Sequence, residues 1–172
     1  MARELITLLM GGVVLEFGVF KGESINALAK LLPNTTIYGF DSFLGLQEDW
    51  FGRTYTKGHF NLFGVTPIVE KNVMLIPGWF EETLPEFLDR LRFQKIDLLH
   101  MDADTYTPTN YVLNLLGPYI RKGTIIIFDE YFGYSKSWKH HEYKAFKEFC
   151  DIKKLDFRYL ALTNIQVAIE IL

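Results

Sequence analysis

The segment from Val13 to Leu32, VVLEFGVFKGESINALAKLL, constrains this chain more than any other. Val13, Val14 and Leu15 suit a buried strand, and Ile25, Leu28, Ala29 and Leu32 recur at the spacing of one helix face. Gly18 and Gly22 stand between them. Strand, glycine turn and helix together open an α/β sheet, and the turn then lies at the carboxyl end of the strands. There, helix N-terminal amides and closely approaching backbone suit a nucleotide-like ligand. The turn, Glu16-Phe17-Gly18-Val19-Phe20-Lys21-Gly22, lacks the three glycines of a dinucleotide fingerprint, which disfavours a pyrophosphate. About nineteen residues beyond Gly22, Asp41 ends a second apolar run, Thr35 to Phe40, where an acid accepts hydrogen bonds from a ribose diol.

The remaining chain repeats this alternation. Asn72 to Pro77 is expected as a third strand, followed by Gly78-Trp79-Phe80 and a helix with Leu84, Phe87, Leu88 and Leu91 on one face. Ile96 to Met101 forms a fourth strand, and Val112, Leu115, Leu116 and Tyr119 mark the next helix. Lys122-Gly123 turns into a fifth strand, Thr124 to Phe128. A helix over roughly Lys139 to Cys150 follows, and Phe157 to Thr163 pairs with Gln166 to Ile171 as a hairpin. The fold class is therefore α/β, a mostly parallel sheet with one antiparallel strand and helices on both faces. The segment from Trp50 to Phe63, aromatic and without a period, is expected as a lid or acceptor wall, or as ordinary core.

At 172 residues the chain is expected to be a single domain, 1–172. A net charge of -3 with scattered basic residues gives no pull toward nucleic acid or an anionic membrane. The lone Cys150 excludes an internal disulfide framework and fits a reducing cytoplasm. The opening MARELITLLMGG is too short to span a bilayer and lacks a signal-peptide layout, so it is assigned to the fold. The first strand begins so early that little room is left for N-terminal helices over the sheet, as in a minimal or shortened form.

Two acidic groups end two strands: Asp102 with Asp104, and Asp129 with Glu130. Parallel strand ends point one way, so these carboxylates converge beside the Gly18 turn. Crowded together they repel unless a cation or protons intervene, and oxygen-only ligands favour magnesium or calcium. Asp104 is expected to cap the helix beginning near Thr107 rather than to ligate. His100 is expected as packed core, His140 and His141 in structural or surface roles, and His59, in the lid, as a catalytic candidate.

These residues resemble a known family, the class I S-adenosylmethionine-dependent methyltransferases, and within it the macrocin O-methyltransferase type. The resemblance rests on Glu16 to Ser24, on Phe40-Asp41-Ser42-Phe43-Leu44-Gly45-Leu46, and on Gly78-Trp79-Phe80 with Thr83-Leu84-Pro85. It extends to Met101-Asp102-Ala103-Asp104-Thr105-Tyr106 and Phe128-Asp129-Glu130-Tyr131. It implies a seven-stranded Rossmann-like sheet. It also implies that Glu16, Phe17, Gly18, Gly22 and Ser24 hold the methionine part of S-adenosylmethionine, Asp41 and Ser42 the ribose, and Gly78, Trp79 and Phe80 the adenine side. Asp102 would adjoin the cofactor and act as the catalytic base. A magnesium site would lie on Asp102, Asp129 and Glu130, with Glu130 standing where the family usually has a second aspartate. The expected partner is a small-molecule hydroxyl acceptor, either a sugar on a natural product or a catechol-like phenol, with a homodimer left open. A non-catalytic cofactor-binding protein is a competing assignment, and a nicotinamide-dependent oxidoreductase is disfavoured by the missing third glycine.

Overall fold

The computed structural model describes residues 12–90, 95–134 and 136–172. The expectations for MARELITLLMG and for Leu91 lie outside these residues. The strands are β1 (Val13–Phe17), β2 (Ile37–Asp41), β3 (Val73–Pro77), β4 (Ile96–Met101), β5 (Ile125–Phe128), β6 (Phe157–Leu162) and β7 (Val167–Ile171). The helices are α1 (Glu23–Leu31), α2 (Phe80–Arg90), α3 (Tyr106–Leu116) and α4 (Glu142–Lys153). The sheet order is β3-β2-β1-β4-β5-β7-β6. Neighbours from β3 to β5 are parallel, and β7 runs antiparallel to both β5 and β6. This is the expected seven-stranded, Rossmann-like architecture.

Burial explains the strand assignments. β1 and β4 are buried at every position because helices cover both faces. On one face, Leu15, Phe17, Leu99 and Met101 pack with Leu84, Val112 and Phe146 of α2, α3 and α4. On the other, Val14, Ile37 and Leu98 pack with Ile25 and Ala29 of α1 and with Phe43. The chain leaves β1 toward one edge and returns through β4 toward the other, so a crevice opens between their carboxyl ends.

Two boundaries differ from expectation. Trp138–His140 is a separate 3-10 turn, and α4 starts only at Glu142. His141, at φ -113 and ψ -128, breaks the helical path, and its Nε2 lies 2.8 Å from the Phe51 carbonyl oxygen. Tyr119 belongs to a 3-10 turn, Gly117–Tyr119, that tightens the end of α3.

Candidate active site

A cleft of about 280 Å³ opens at the carboxyl ends of β1, β2, β4 and β5. Its floor is made by backbone. Gly18 N–H donates to Phe40 O at 2.9 Å, and Asp102 N–H donates to Phe17 O at 2.8 Å, so the strand tips continue the ladder into the turn. Gly18 has φ +91, and a Cβ there would lie 1.8 Å from the Asp102 carbonyl oxygen. Only glycine lets the turn lie this close to the β4 tip.

Asp41 organises the same turn. Its Oδ2 accepts from Val19 N–H at 2.9 Å and from Phe20 N–H at 2.7 Å, and its Oδ1 accepts from Phe43 N–H at 2.7 Å. The carboxylate therefore ties the glycine turn to the loop after β2 while remaining in the cleft lining. Of the sequence-derived cofactor residues, Gly18, Asp41, Ser42, Trp79, Phe80 and Asp102 line the cleft. Glu16, Phe17, Gly22, Ser24 and Gly78 are not among the lining residues.

Asp102, Asp104 and Glu130 present carboxylate oxygens that lie within 4.8 Å of one another, and His100, Asp102 and Asp129 form a second such group. The expected trio is thus split between two sets that share Asp102. Asp104 corrects one expectation: the N-cap of α3 is Thr105, without a side-chain cap bond, and Asp104 lines the cleft at φ +63. A short polar side chain tolerates that left-handed backbone.

Crowding shapes the proton affinities. Burial, then the charges of Glu130 and Asp129, hold the Asp102 carboxyl well above the usual carboxylate range. Burial and Asp102 do the same for Asp104. Burial and Asp104 push Glu130 up to about 8. Asp129 goes the other way: burial opposes its charge, but His100 and Gln166 outweigh that and hold it below its ordinary value. His100 is pushed up to about 10, because the Asp129 and Glu16 carboxylates overcome the cost of burying an imidazolium.

Several contributors were not legible as site residues. Glu142, fully buried in the first turn of α4, accepts from Ala103 N–H at 3.3 Å and from Glu130 N–H at 3.1 Å, pinning both acidic strand ends. Gln166 donates from Nε2 to Asp129 Oδ1. The Arg53 guanidinium lies 4.4 Å from the Tyr134 ring centroid and 5.1 Å from that of Trp50, and its charge partly offsets Asp104 and Glu130. A sequence signal existed only for His100, a histidine two residues before Asp102 on a strand expected to be buried.

The Trp50–Phe63 segment supplies both core and cleft-lining residues. Trp50 is buried against Tyr134 and His141, whereas Phe60 joins the cleft wall and Phe63 is 86% exposed. His59 is exposed, stacked on Tyr55 at 4.3 Å and outside the cleft lining, so the catalytic candidacy is not supported by its position. His140 is exposed and His141 buried, in line with structural or surface roles.

A pH dependence follows. Between the ordinary carboxylate range and about pH 8, native Glu130 binds a proton that the unfolded chain has released, and Asp102, Asp104 and Glu142 act in the same direction. Native His100 likewise holds its proton from about 6.5 to about 10. The native state therefore binds more protons across this window, and stability falls as pH rises. Urea midpoints measured in chelator should decline from pH 5 to pH 9, and a rising profile would contradict the buried cluster.

The model of a family described as a methyltransferase domain matches residues 15–131, which include Asp41, Asp102, Asp104, Asp129 and Glu130. Mycinamicin III 3''-O-methyltransferase from Micromonospora griseorubida is 33% identical over 64 residues, 37% of this chain and 24% of that protein. The match thus spans about a quarter of that curated relative's length. The calicheamicin methyltransferase CalS11 superposes with a TM-score of 0.76 and 26% identity, covering 98% of this chain and 76% of that chain. The O-methyltransferase NovP shares the fold, with a TM-score of 0.73 at 20% identity over 98% of this chain and 75% of that chain. With its cleft built on the strand tips that the family model spans, this chain belongs to the methyltransferase domain family.

Proposed function

We propose that this chain is an S-adenosylmethionine-dependent O-methyltransferase acting on a hydroxyl of a sugar or other small natural product, close to the macrocin O-methyltransferase type. The observation that carries this is the convergence of the Gly18 turn, Asp41 and the strand-end carboxylates on one cleft. The sugar assignment is favoured over a catechol-like phenol because CalS11, at 26% identity, is named a TDP-rhamnose 3'-O-methyltransferase.

The residues fit a hard divalent cation such as magnesium. The donors are oxygens, Glu130 Oε2 is buried without a hydrogen-bond partner, and Asp102, Asp104 and Glu130 carry raised proton affinities. The resemblance implies Asp102, Asp129 and Glu130 as ligands; the oxygens grouped within 4.8 Å are those of Asp102, Asp104 and Glu130, so these three would hold the ion, with Asp129 beside them in the set of His100. When bound, such an ion lowers the pKa of a coordinated hydroxyl.

S-Adenosylmethionine supplies an electrophilic methyl group. With the cofactor bound, Asp102 would take the proton of the acceptor hydroxyl as the methyl passes from sulfur to that oxygen. Burial and the charges of Glu130 and Asp129 raise its proton affinity, which strengthens it as a proton acceptor once a bound cation holds it ionised. Glu142 and Gln166 hold the neighbouring acids in place, and the Gly18 turn lets the cofactor approach the backbone.

Methyl transfer to a panel of sugar diols and catechols, followed by mass spectrometry with magnesium and with chelator, tests this. Transfer to a sugar hydroxyl is expected. Binding of NAD with no response to S-adenosylhomocysteine would overturn it. Asp41→Ala should weaken S-adenosylhomocysteine binding by about 1–3 kcal/mol, the scale of hydrogen bonds to charged groups and of donors left unpaired. Calorimetry checks this, and an unchanged dissociation constant would remove Asp41 from the cofactor site.

A further inference from the structure

We propose that Glu16 and His100 form a buried polar link that holds the glycine turn and the strand-end carboxylates in register, with His100 as the positioning residue for Asp129. The register of β1 and β4 pairs Glu16 with His100. Glu16 is completely buried and His100 is 5% exposed. They share the sheet face of Val14 and Leu98, so two ionisable side chains interrupt an otherwise apolar layer one residue below the strand tips. A well-packed apolar pair would serve stability there at least as well. What the polar pair adds is its connections.

At one end, Ser24 Oγ, in the first turn of α1, donates to Glu16 Oε1 at 2.8 Å. The other Glu16 oxygen lies 3.0 Å from His100 Nδ1, and since a carboxylate accepts, the ring donates. His100 Nε2 is 3.8 Å from Asp129 Oδ1, an ion-pair separation beyond hydrogen-bond reach. That same oxygen accepts from Gln166, just before β7. The link therefore crosses β1, β4 and β5, from the helix after the glycine turn to the terminal hairpin. Neither Glu16 nor His100 lines the cleft, so both act through their neighbours. Displacing Asp129 pulls on the turn, and displacing the turn pulls on Asp129. The function assigned to the link rests on the proposed methyl transfer, but its existence does not.

Two measurements test it. In the ¹⁵N-labelled protein, His100 Nδ1–H should give a protected downfield resonance that is lost in His100→Gln and shifted by both Ser24→Ala and Gln166→Ala, at opposite ends of the link. In calorimetry, Gln166→Ala should change the S-adenosylhomocysteine dissociation constant about three-fold, within the coupling range for residues of one network, although Gln166 does not line the cleft. The change should vanish in a His100→Gln background. Glu16→Gln supplies a second background should His100→Gln fail to fold. A Gln166→Ala effect that is absent, or equal in both backgrounds, overturns the proposal and leaves the methyltransferase assignment intact. If the unaltered protein binds no S-adenosylhomocysteine, that assignment falls, and the resonance decides the link alone: movement from both ends supports it, and indifference to Gln166→Ala refutes it.

Discussion

Gly18→Ala is expected to destabilise the protein by about 3 kcal/mol, the sum of left-handed backbone strain and overpacking, and to abolish measurable S-adenosylhomocysteine binding. The added Cβ would sit 1.8 Å from the Asp102 carbonyl oxygen and 2.7 Å from its carbon. Both are backbone atoms, and Asp102 is held by its own N–H bond to Phe17 O at 2.8 Å. No flexible side chain can give way, so β1 and β4 must separate at the crevice. Gly58→Ala provides the control: it shares the left-handed backbone at φ +82 but has nothing within 4 Å of the new Cβ. That variant should lose about 1 kcal/mol, the strain alone. Urea denaturation and calorimetry of both variants would settle the matter, and wild-type stability and affinity in Gly18→Ala would show that the close approach is not real.

The second large effect is expected at Asp102. Asp102→Asn keeps the size and most of the polarity of the side chain but removes the carboxyl proposed as the proton acceptor. Turnover should fall by about 10²–10⁴-fold, the range of general acid–base contributions, while S-adenosylhomocysteine affinity changes far less. Asp129→Asn should also cut turnover more than cofactor binding, and it should cost stability as well because His100 loses its acidic neighbour. Chelation should reproduce the turnover defect and leave the fold largely intact, since the two apolar layers contain no residue of the acidic cluster. Chelator added to Asp102→Asn should do little more, because groups acting as one unit are not additive. Full activity of Asp102→Asn, or of the chelated protein, on a verified acceptor would remove the carboxylates from catalysis.

Much of this site could be read from the order of residues. Asp41, Asp102, Asp129 and Glu130 each follow an apolar run, and parallel strands bring run ends to one edge whatever the loops between them do. Asp104 reads as a cap because an acid just before a helix ordinarily is one, whereas here Thr105 takes the cap position and Asp104 lines the cleft. Glu142 escaped notice because an acid in a helix first turn is ordinarily solvated, and only the packing of α4 against the β4 and β5 tips buries it.

The sequence by itself determined the alternation of strands and helices, the place of the glycine turn, and the edge of the sheet that carries the acids. These follow from periods of two and 3.6 residues and from glycine's freedom at positive φ, all of which act between near neighbours in the chain. Only the tertiary structure decided which carboxylates share a cation-sized space, that His100 stands between Glu16 and Asp129, and that Gln166 reaches back 37 positions to Asp129. Those relations depend on strand order and register, and both are set by how the two apolar layers pack as a whole. Side chains far apart in sequence come within bonding distance only after that packing has closed.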